Sequence, residues 1–386
     1  MRPGRRHWLA GLMAAWAAPL AAAAAKPAKL AKPEIAEREA DEDRIAPDRR
    51  LRFPPDHGAH PGARLEWWYA TGWLRVTGAA PEALLGFQLT FFRSRTGLAA
   101  NLPGRFAPRQ LLFAHAAVSD IAAGRHHHAQ RISRWSGDES QPDAHARRAD
   151  TALRLGRWTL QREPADGRYQ ARLAAAEAGF SLALSLLPSQ PLLLQGAAGH
   201  SQKGPAPQHA SHYYSQPQLA VSATLGLGAG VQTANGCGWL DHEWSDELLA
   251  PGAVGWDWIG INLLDGGALT AFVLRRADGS VLWAGGSHRP AGGAVRNFAP
   301  EEVGFTPLRS WASPATGAAY PVHWRISTPL GRLELRALLD AQELDSRAST
   351  GTVYWEGLAE LLAPGGARLG LGYLEMTGRA QPLRLG

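Results

Sequence analysis

From Leu51 onward the chain is written as short β-favouring runs broken by tight turns, and no stretch of it holds a capped helical period for more than two or three turns. Leu65 to Val76 places Leu65, Trp67, Tyr69, Thr71 and Trp73 on one face if extended, and Leu84 to Arg93 does the same with Leu85, Phe87, Leu89 and Phe91. Further on, Trp256 to Leu264 leads through Asp265-Gly266-Gly267 into Ala268 to Arg276, then through Asp278-Gly279 into Val281 to Ala284. Asp-Gly between such runs is a hairpin signal, because a tight turn needs a residue that accepts a positive φ. Tyr320 to Thr328 with Arg332 to Leu339, and Thr352 to Leu362 with Arg368 to Gly378, repeat the pattern around Pro329-Leu330-Gly331 and Pro364-Gly365-Gly366. The best helical candidate, Glu34 to Arg44, lies outside this region. The fold class is therefore all-β and antiparallel, as barrels or sandwiches, with barrels removing exposed strand edges.

A chain of 386 residues suggests about two to three domains. With 45% hydrophobic and 19% charged residues it has ample core material, and a break near Leu240 divides it into 51–240 and 241–386. The expected loops are Arg93 to Arg109, Ala122 to Asp150 and Leu187 to His212. The last is long and rich in Pro, Gly, Gln and His.

Residues 1–25 read as a signal peptide: Arg2, Arg5 and Arg6 are its basic start, Trp8 to Leu20 its apolar segment, and Ala21 to Ala25 its small-residue cleavage zone. Either Sec or, from Arg5-Arg6, twin-arginine export is compatible with it. A periplasmic or secreted location is expected. Removing the three arginines takes the net charge from +6 to +3. Residues 26–50, rich in Ala, Lys, Pro and Glu, read as a flexible leader. A mildly basic chain with no basic stripe or nucleic-acid motif is not expected to bind nucleic acid. The single Cys237 excludes an internal disulfide and a Cys-rich zinc site.

Fifteen tryptophans are a surplus, and several sit beside acids. Three clusters result: Glu66-Trp67-Trp68-Tyr69, His212-Tyr213-Tyr214-Ser215, and Trp239-Leu-Asp241-His242-Glu243-Trp244, followed by Trp256-Asp257-Trp258. On a strand, Asp241 and Glu243 share one face while His242 and Trp244 share the other, and Trp256 and Trp258 lie opposite Asp257. A carboxyl group among indoles is costly to ionise, so its pKa rises and it can donate a proton. Indole faces can also stabilise a developing cation. This suits protonation of an alkene followed by attack of water. The alternative for each cluster is aromatic core filling, with acids satisfied by Arg or backbone groups. His126-His127-His128 has no companion ligand cluster, His242-Glu243 lacks the second His of a zinc-protease helix, and no nucleophile elbow or dinucleotide fingerprint occurs. No metal centre is expected.

Asp56-His-Gly-Ala-His-Pro61, Glu66-Trp-Trp-Tyr-Ala-Thr-Gly72, Phe87-Gln-Leu-Thr-Phe-Phe-Arg93, Phe113-Ala-His115, His212-Tyr-Tyr-Ser215, Trp239-Leu-Asp-His-Glu-Trp244, Trp256-Asp-Trp258, Tyr354-Trp-Glu-Gly357 and Gly372-Tyr-Leu-Glu-Met-Thr-Gly378 resemble, in this order, the carotenoid 1,2-hydratase family and its secreted AttH-type branch. The resemblance spans roughly residues 51–380. It implies two lipocalin-like β-barrels around a hydrophobic cavity, hydration of an isoprenoid double bond without a cofactor in the hydratase branch, and association with ABC-type export systems in the secreted branch. Glu243 stands where the hydratase motif has an amide.

The expectation is thus an exported lipocalin-like protein enclosing an isoprenoid or lipid-like molecule. Any hydratase or isomerase step would use Asp241 or Asp257 as proton donor and His242 and Glu66 as positioning groups. Trp67, Tyr69, His212, Tyr213, Tyr214, Trp244, Trp256 and Trp258 would line the cavity. The alternative is a non-catalytic periplasmic carrier or an accessory protein of an ABC transporter.

Overall fold

The computed structural model describes residues 43–97, 108–228 and 230–384. The expected signal peptide, and the expected leader up to residue 42, lie outside the described residues. Within them the only helices are three single 3-10 turns, and the rest of the regular structure is antiparallel strand.

Two sheets are formed, one of 13 strands and one of 10, each curled into a nearly closed barrel of lipocalin-like type. The expected hairpins are present: Gly255–Leu263, Ala268–Arg275 and Val281–Arg289 form a meander, and Ala319–Thr328 pairs with Gly331–Ala337. Gly266 and Gly279, at the two Asp-Gly turns, have φ of 88° and 83°, a left-handed region costly for a residue with a Cβ.

The first sheet takes in every strand up to Gly230–Ser245, and the second begins at Gly255–Leu263. The expected division at 240/241 would cut Gly230–Ser245 in two. The change of sheet comes after Ser245, where the chain finally leaves its pairing with Leu65–Val76. The expected leader also reaches too far. Asp43 and Ala46 are buried, Asp43 accepts the Gly62 N–H at 2.8 Å, and Arg49 pairs with Asp56 at 2.8 Å. Of the expected loops, Ala122 to Asp150 contains the strand Arg125–Trp135, including His126 to His128. It is an edge strand, paired on one side by Gln110–Asp120, so the period-two apolar signal of a central strand is missing. His212 to Ser215 likewise belong to the strand Ala210–Leu227.

Each barrel has its own core. Trp68, Trp135, Trp158, Leu240 and Trp244 belong to the first, and Ile259, Tyr320, Trp324, Trp355 and Leu374 to the second. A third apolar cluster, with Tyr69, Trp239, Trp258, Phe272 and Tyr373, draws on both sheets. Tryptophan is surplus because three cores are being filled. At a bulge between Gln216 and Leu219, Gln218 adopts φ 56°, and its Nε2 donates to the carbonyls of Leu263 and Gly267. Its N–H donates to Asn262 Oδ1 at 2.8 Å, and Asn262 Nδ2 donates to Gly238 O at 3.0 Å. His115 with Tyr354, and Ser119 with Gln342, tie the barrels elsewhere.

Candidate functional site

Strand alternation sorts the expected residues onto two sides of the first sheet. On Leu65–Val76, paired with Gly230–Ser245, Trp67 stands opposite Glu243 and Tyr69 opposite Asp241. On Ala210–Leu227, Tyr213 and Ser215 continue the same two rows. A row on the second sheet runs from Glu356 through Glu375 and Trp258 to Phe272. The two sheets enclose a cavity of ≈ 150 Å³ whose walls include Trp67, Tyr69, Tyr213, Asp241, Trp256 and Trp258. The rings interlock, with Tyr69 and Trp258 edge-to-face at 5.4 Å and Trp239 and Trp258 at 6.4 Å.

Asp241 is buried, and burial raises its pKa to about 7 despite hydrogen bonds that favour the carboxylate. Tyr213 Oη donates to its Oδ2 at 2.8 Å and Trp239 Nε1 to its Oδ1 at 2.7 Å. Glu375 is also raised to about 7, by burial and by the Asp241 and Glu243 charges, although Trp256 bonds to it. Burial, then the charge on Glu375, raise Glu356 well above the carboxylate range. Glu243 pairs with Lys203 at 3.1 Å. The cavity is thus an aromatic box holding carboxyl groups that retain protons near neutrality, the condition for a general acid.

His242, His212, Tyr214 and Trp244 point the other way, into the first barrel, and Glu66, although it borders the cavity, turns its carboxylate to the same network. Glu66 Oε1 accepts from His60 Nδ1 at 2.7 Å and His242 Nε2 at 2.9 Å, and its Oε2 accepts from Arg93 Nε at 2.7 Å. Burial opposes charge on Glu66, but Arg93 and the two histidines hold its pKa well below the usual range. His242 Nδ1 meets Tyr214 Oη at 3.1 Å, and Tyr214 Oη meets His57 Nδ1 at 2.8 Å. Burial lowers His242 to about 4, so it is neutral at pH 7 and donates from Nε2 to Glu66. Trp244 stacks on His60 at 3.7 Å, and His212 Nε2 accepts the Ala46 N–H. His60, Glu66 and His242 bring possible metal-ligand atoms within 4.8 Å of one another. Their lone pairs and protons are already spent on each other and on Arg93, so a cation there would have to break the network rather than complete it.

Asp257 is likewise turned away from the cavity. Arg275 holds it at 2.8 Å and Arg379 at 2.7 Å, which makes it an ion-pair centre of the second barrel and not a proton donor to the cavity. Asp257→Asn should destabilise the protein by about 1.5–3 kcal/mol, the range for hydrogen bonds to charged groups, as read by urea denaturation, while cavity binding stays unchanged. Weakened ligand binding with unaltered stability would contradict this placement.

Glu356, Glu375 and Lys203 were not expected at the site. The two glutamates do lie in the quoted segments Tyr354-Trp-Glu-Gly357 and Gly372-Tyr-Leu-Glu-Met-Thr-Gly378, and alternation puts Tyr354 with Glu356 and Tyr373 with Glu375.

A family model described as AttH-like matches residues 44–379. The crystal structure of an AttH-type protein from Nitrosomonas europaea is 46% identical, with a TM-score of 0.78 over 87% of this chain and 99% of that one. Kievitone hydratase from Nectria haematococca shares the fold at 13% identity, with a TM-score of 0.64 over 85% of this chain and 93% of its own. Among curated proteins none matches the chain. With the family model spanning nearly all of the two-barrel region and a close structural relative alongside it, the protein belongs to the AttH-like family.

Proposed function

We propose that the cavity between the two sheets binds an apolar, isoprenoid-like small molecule and that Asp241 acts on it as a general acid, in a hydratase or isomerase step. The observation that carries this reading is a carboxyl group with a pKa of about 7 set in a wall of indole and phenol rings. In a hydration the Asp241 proton would pass to one alkene carbon, water would bond to the other, and one of the water's protons would return to a cavity carboxylate. Atoms balance without a redox partner. The fold shared with kievitone hydratase supports the reading only in that a hydratase occurs on the same two-barrel plan.

A carrier is the second reading, favoured by the fact that both oxygens of Asp241 already accept hydrogen bonds, as in a satisfied structural acid. Residues 1–25 support an extracytoplasmic setting for either role, and service to an ABC-type exporter is what the resemblance to the secreted AttH-type branch implies. N-terminal sequencing of protein from the periplasm should then begin near Lys26.

A polyene titrated into the protein should quench tryptophan fluorescence saturably, and Trp258→Ala should weaken binding about tenfold or more, since an indole wall buries a large apolar area. Mass spectrometry of the molecule retained by protein from its native envelope separates the two roles. A hydrated or isomerised product supports the enzyme, and an unmodified lipid the carrier. Absence of saturable quenching would overturn the cavity as the site.

A further inference from the structure

The charges around the cavity do not balance. Six acidic residues line it. The Glu66 carboxylate is taken up by Arg93, His60 and His242, and Glu247 is half-exposed beside His209. The other four are Asp241 and Glu243 from the first sheet and Glu356 and Glu375 from the second. Among the described lining residues Lys203 is the one ammonium, and it is paired to Glu243. Arg93 also borders the space, but its guanidinium is turned to Glu66, Gln110 and the carbonyls of His60 and Ala63. His115 is buried between Tyr354 Oη and Ser349 Oγ, where burial lowers its pKa to about 3 and keeps it neutral.

Glu356 and Glu375 stand directly opposite each other on neighbouring strands, a register in which two like charges repel. The buried Tyr69 hydroxyl and Glu356 carboxyl, one from each sheet, interact with each other, but the contact is too loose to be a full hydrogen bond for Tyr69 Oη or Glu356 Oε1. A buried polar pair held this loosely leaves hydrogen-bonding capacity that a ligand can take up. The surroundings already hold one organic cation: Lys203 Nζ lies 4.5 Å from the Tyr213 ring centroid and 4.4 Å from that of Phe272, within cation–π range. Trp67, Trp256 and Trp258 offer further aromatic faces to the same space.

We propose that the Glu356–Glu375 pair seats an organic cation, a protonated amine or quaternary ammonium carried on an apolar body, with Tyr69 and the tryptophans as its cage. This rests on the reading of the cavity as the ligand site and adds the charge of what enters it. A positive centre relieves the repulsion between the two glutamates and takes the place of the proton they hold. Its hydrocarbon part lies along the tryptophans toward Asp241. The pair's other ionisable neighbours are Tyr69, Tyr354 and Tyr373, whose hydroxyls burial and these same carboxylates push up, and Asp241 and Glu243 across the cavity. Of these groups Asp241 and Glu375, both raised to about 7, change charge across the pH range of the test.

The test compares benzyltrimethylammonium with its uncharged carbon isostere, neopentylbenzene, by tryptophan quenching and calorimetry on the full chain. The cation should bind at least tenfold tighter at pH 7.5, more tightly still at pH 8.5 than at pH 6, and its heat of binding should differ between phosphate and Tris buffers because a proton is released. Glu356→Gln and Glu375→Gln, each checked for native circular dichroism, should bring the preference below threefold and leave binding of the isostere intact. Equal binding of the two probes by the wild type would overturn the cation seat while leaving the cavity as an apolar site. Failure of both to bind or quench would overturn both readings.

Discussion

Glu66→Gln should cost about 3–5 kcal/mol of folding stability, the range for removing one partner of a buried ion pair. Glu66 and Arg93 are both fully enclosed, and the guanidinium would be left facing a neutral amide. The amide also presents one acceptor oxygen where the carboxylate offers two, and these now receive the His60 N–H, His60 Nδ1, His242 Nε2 and Arg93 Nε. Because partners hold the folded-state pKa of Glu66 well below its ordinary value, its contribution is present above about pH 4.5 and is lost only as pH falls through that depressed value. The Glu66 carboxylate itself does not titrate from pH 8 to pH 5, but it helps raise the pKa of His60, whose contribution is fully present below about pH 6.5 and lost as pH rises. The deficit in urea melts should therefore grow as pH falls from 8 to 5. Glu66 borders the cavity, but both of its carboxylate oxygens are engaged by His60, His242 and Arg93, so ligand affinity of the folded fraction should not change. A Glu66→Gln protein of wild-type stability that fails to bind or turn over ligand would return Glu66 to the site.

Asp241→Asn should lower turnover by about 10²–10⁴-fold and leave binding nearly intact, the usual measure of a lost general acid. It also has a stability signature that needs no substrate. Burial lifts the Asp241 pKa to about 7 in the folded protein, so its protonated form stabilises the fold fully below about pH 4, and that stability is lost as pH rises to about 7. Asparagine cannot ionise. Relative to the wild type the variant should gain stability between pH 4 and pH 7, by an amount on the order of 4 kcal/mol from about three pKa units, and the difference should level off above pH 7. Loss of one acceptor for Tyr213 or Trp239 adds an offset that does not vary with pH, so the slope is the readout. A flat difference between pH 4 and pH 8 would show Asp241 ionised throughout and remove it as the acid.

Much of this site follows from period two. Alternation alone grouped Leu65, Trp67 and Tyr69, set Asp241 and Glu243 against His242 and Trp244, and set Trp256 and Trp258 against Asp257; the strands obey each grouping. It said nothing of which face looks where. His242 and Glu66 read as positioning groups because they adjoin the right residues in sequence, yet adjacent residues on a strand lie on opposite sides of the sheet. One side is the first barrel's interior, and the other is the cavity.

What the sequence by itself determined is the class of fold and the membership of each strand face, because turn residues and side-chain alternation are properties of a few consecutive residues. The tertiary structure alone decided what each face meets. Asp257 became an ion-pair centre because Arg275 and Arg379 reach it, the latter from 122 positions along the chain. Glu356 and Glu375 joined Asp241 because the register of two strands in one sheet, and the stacking of that sheet on another, bring them to one space. Pairing between distant strands depends on the whole set of contacts competing for each edge, and no local pattern encodes it.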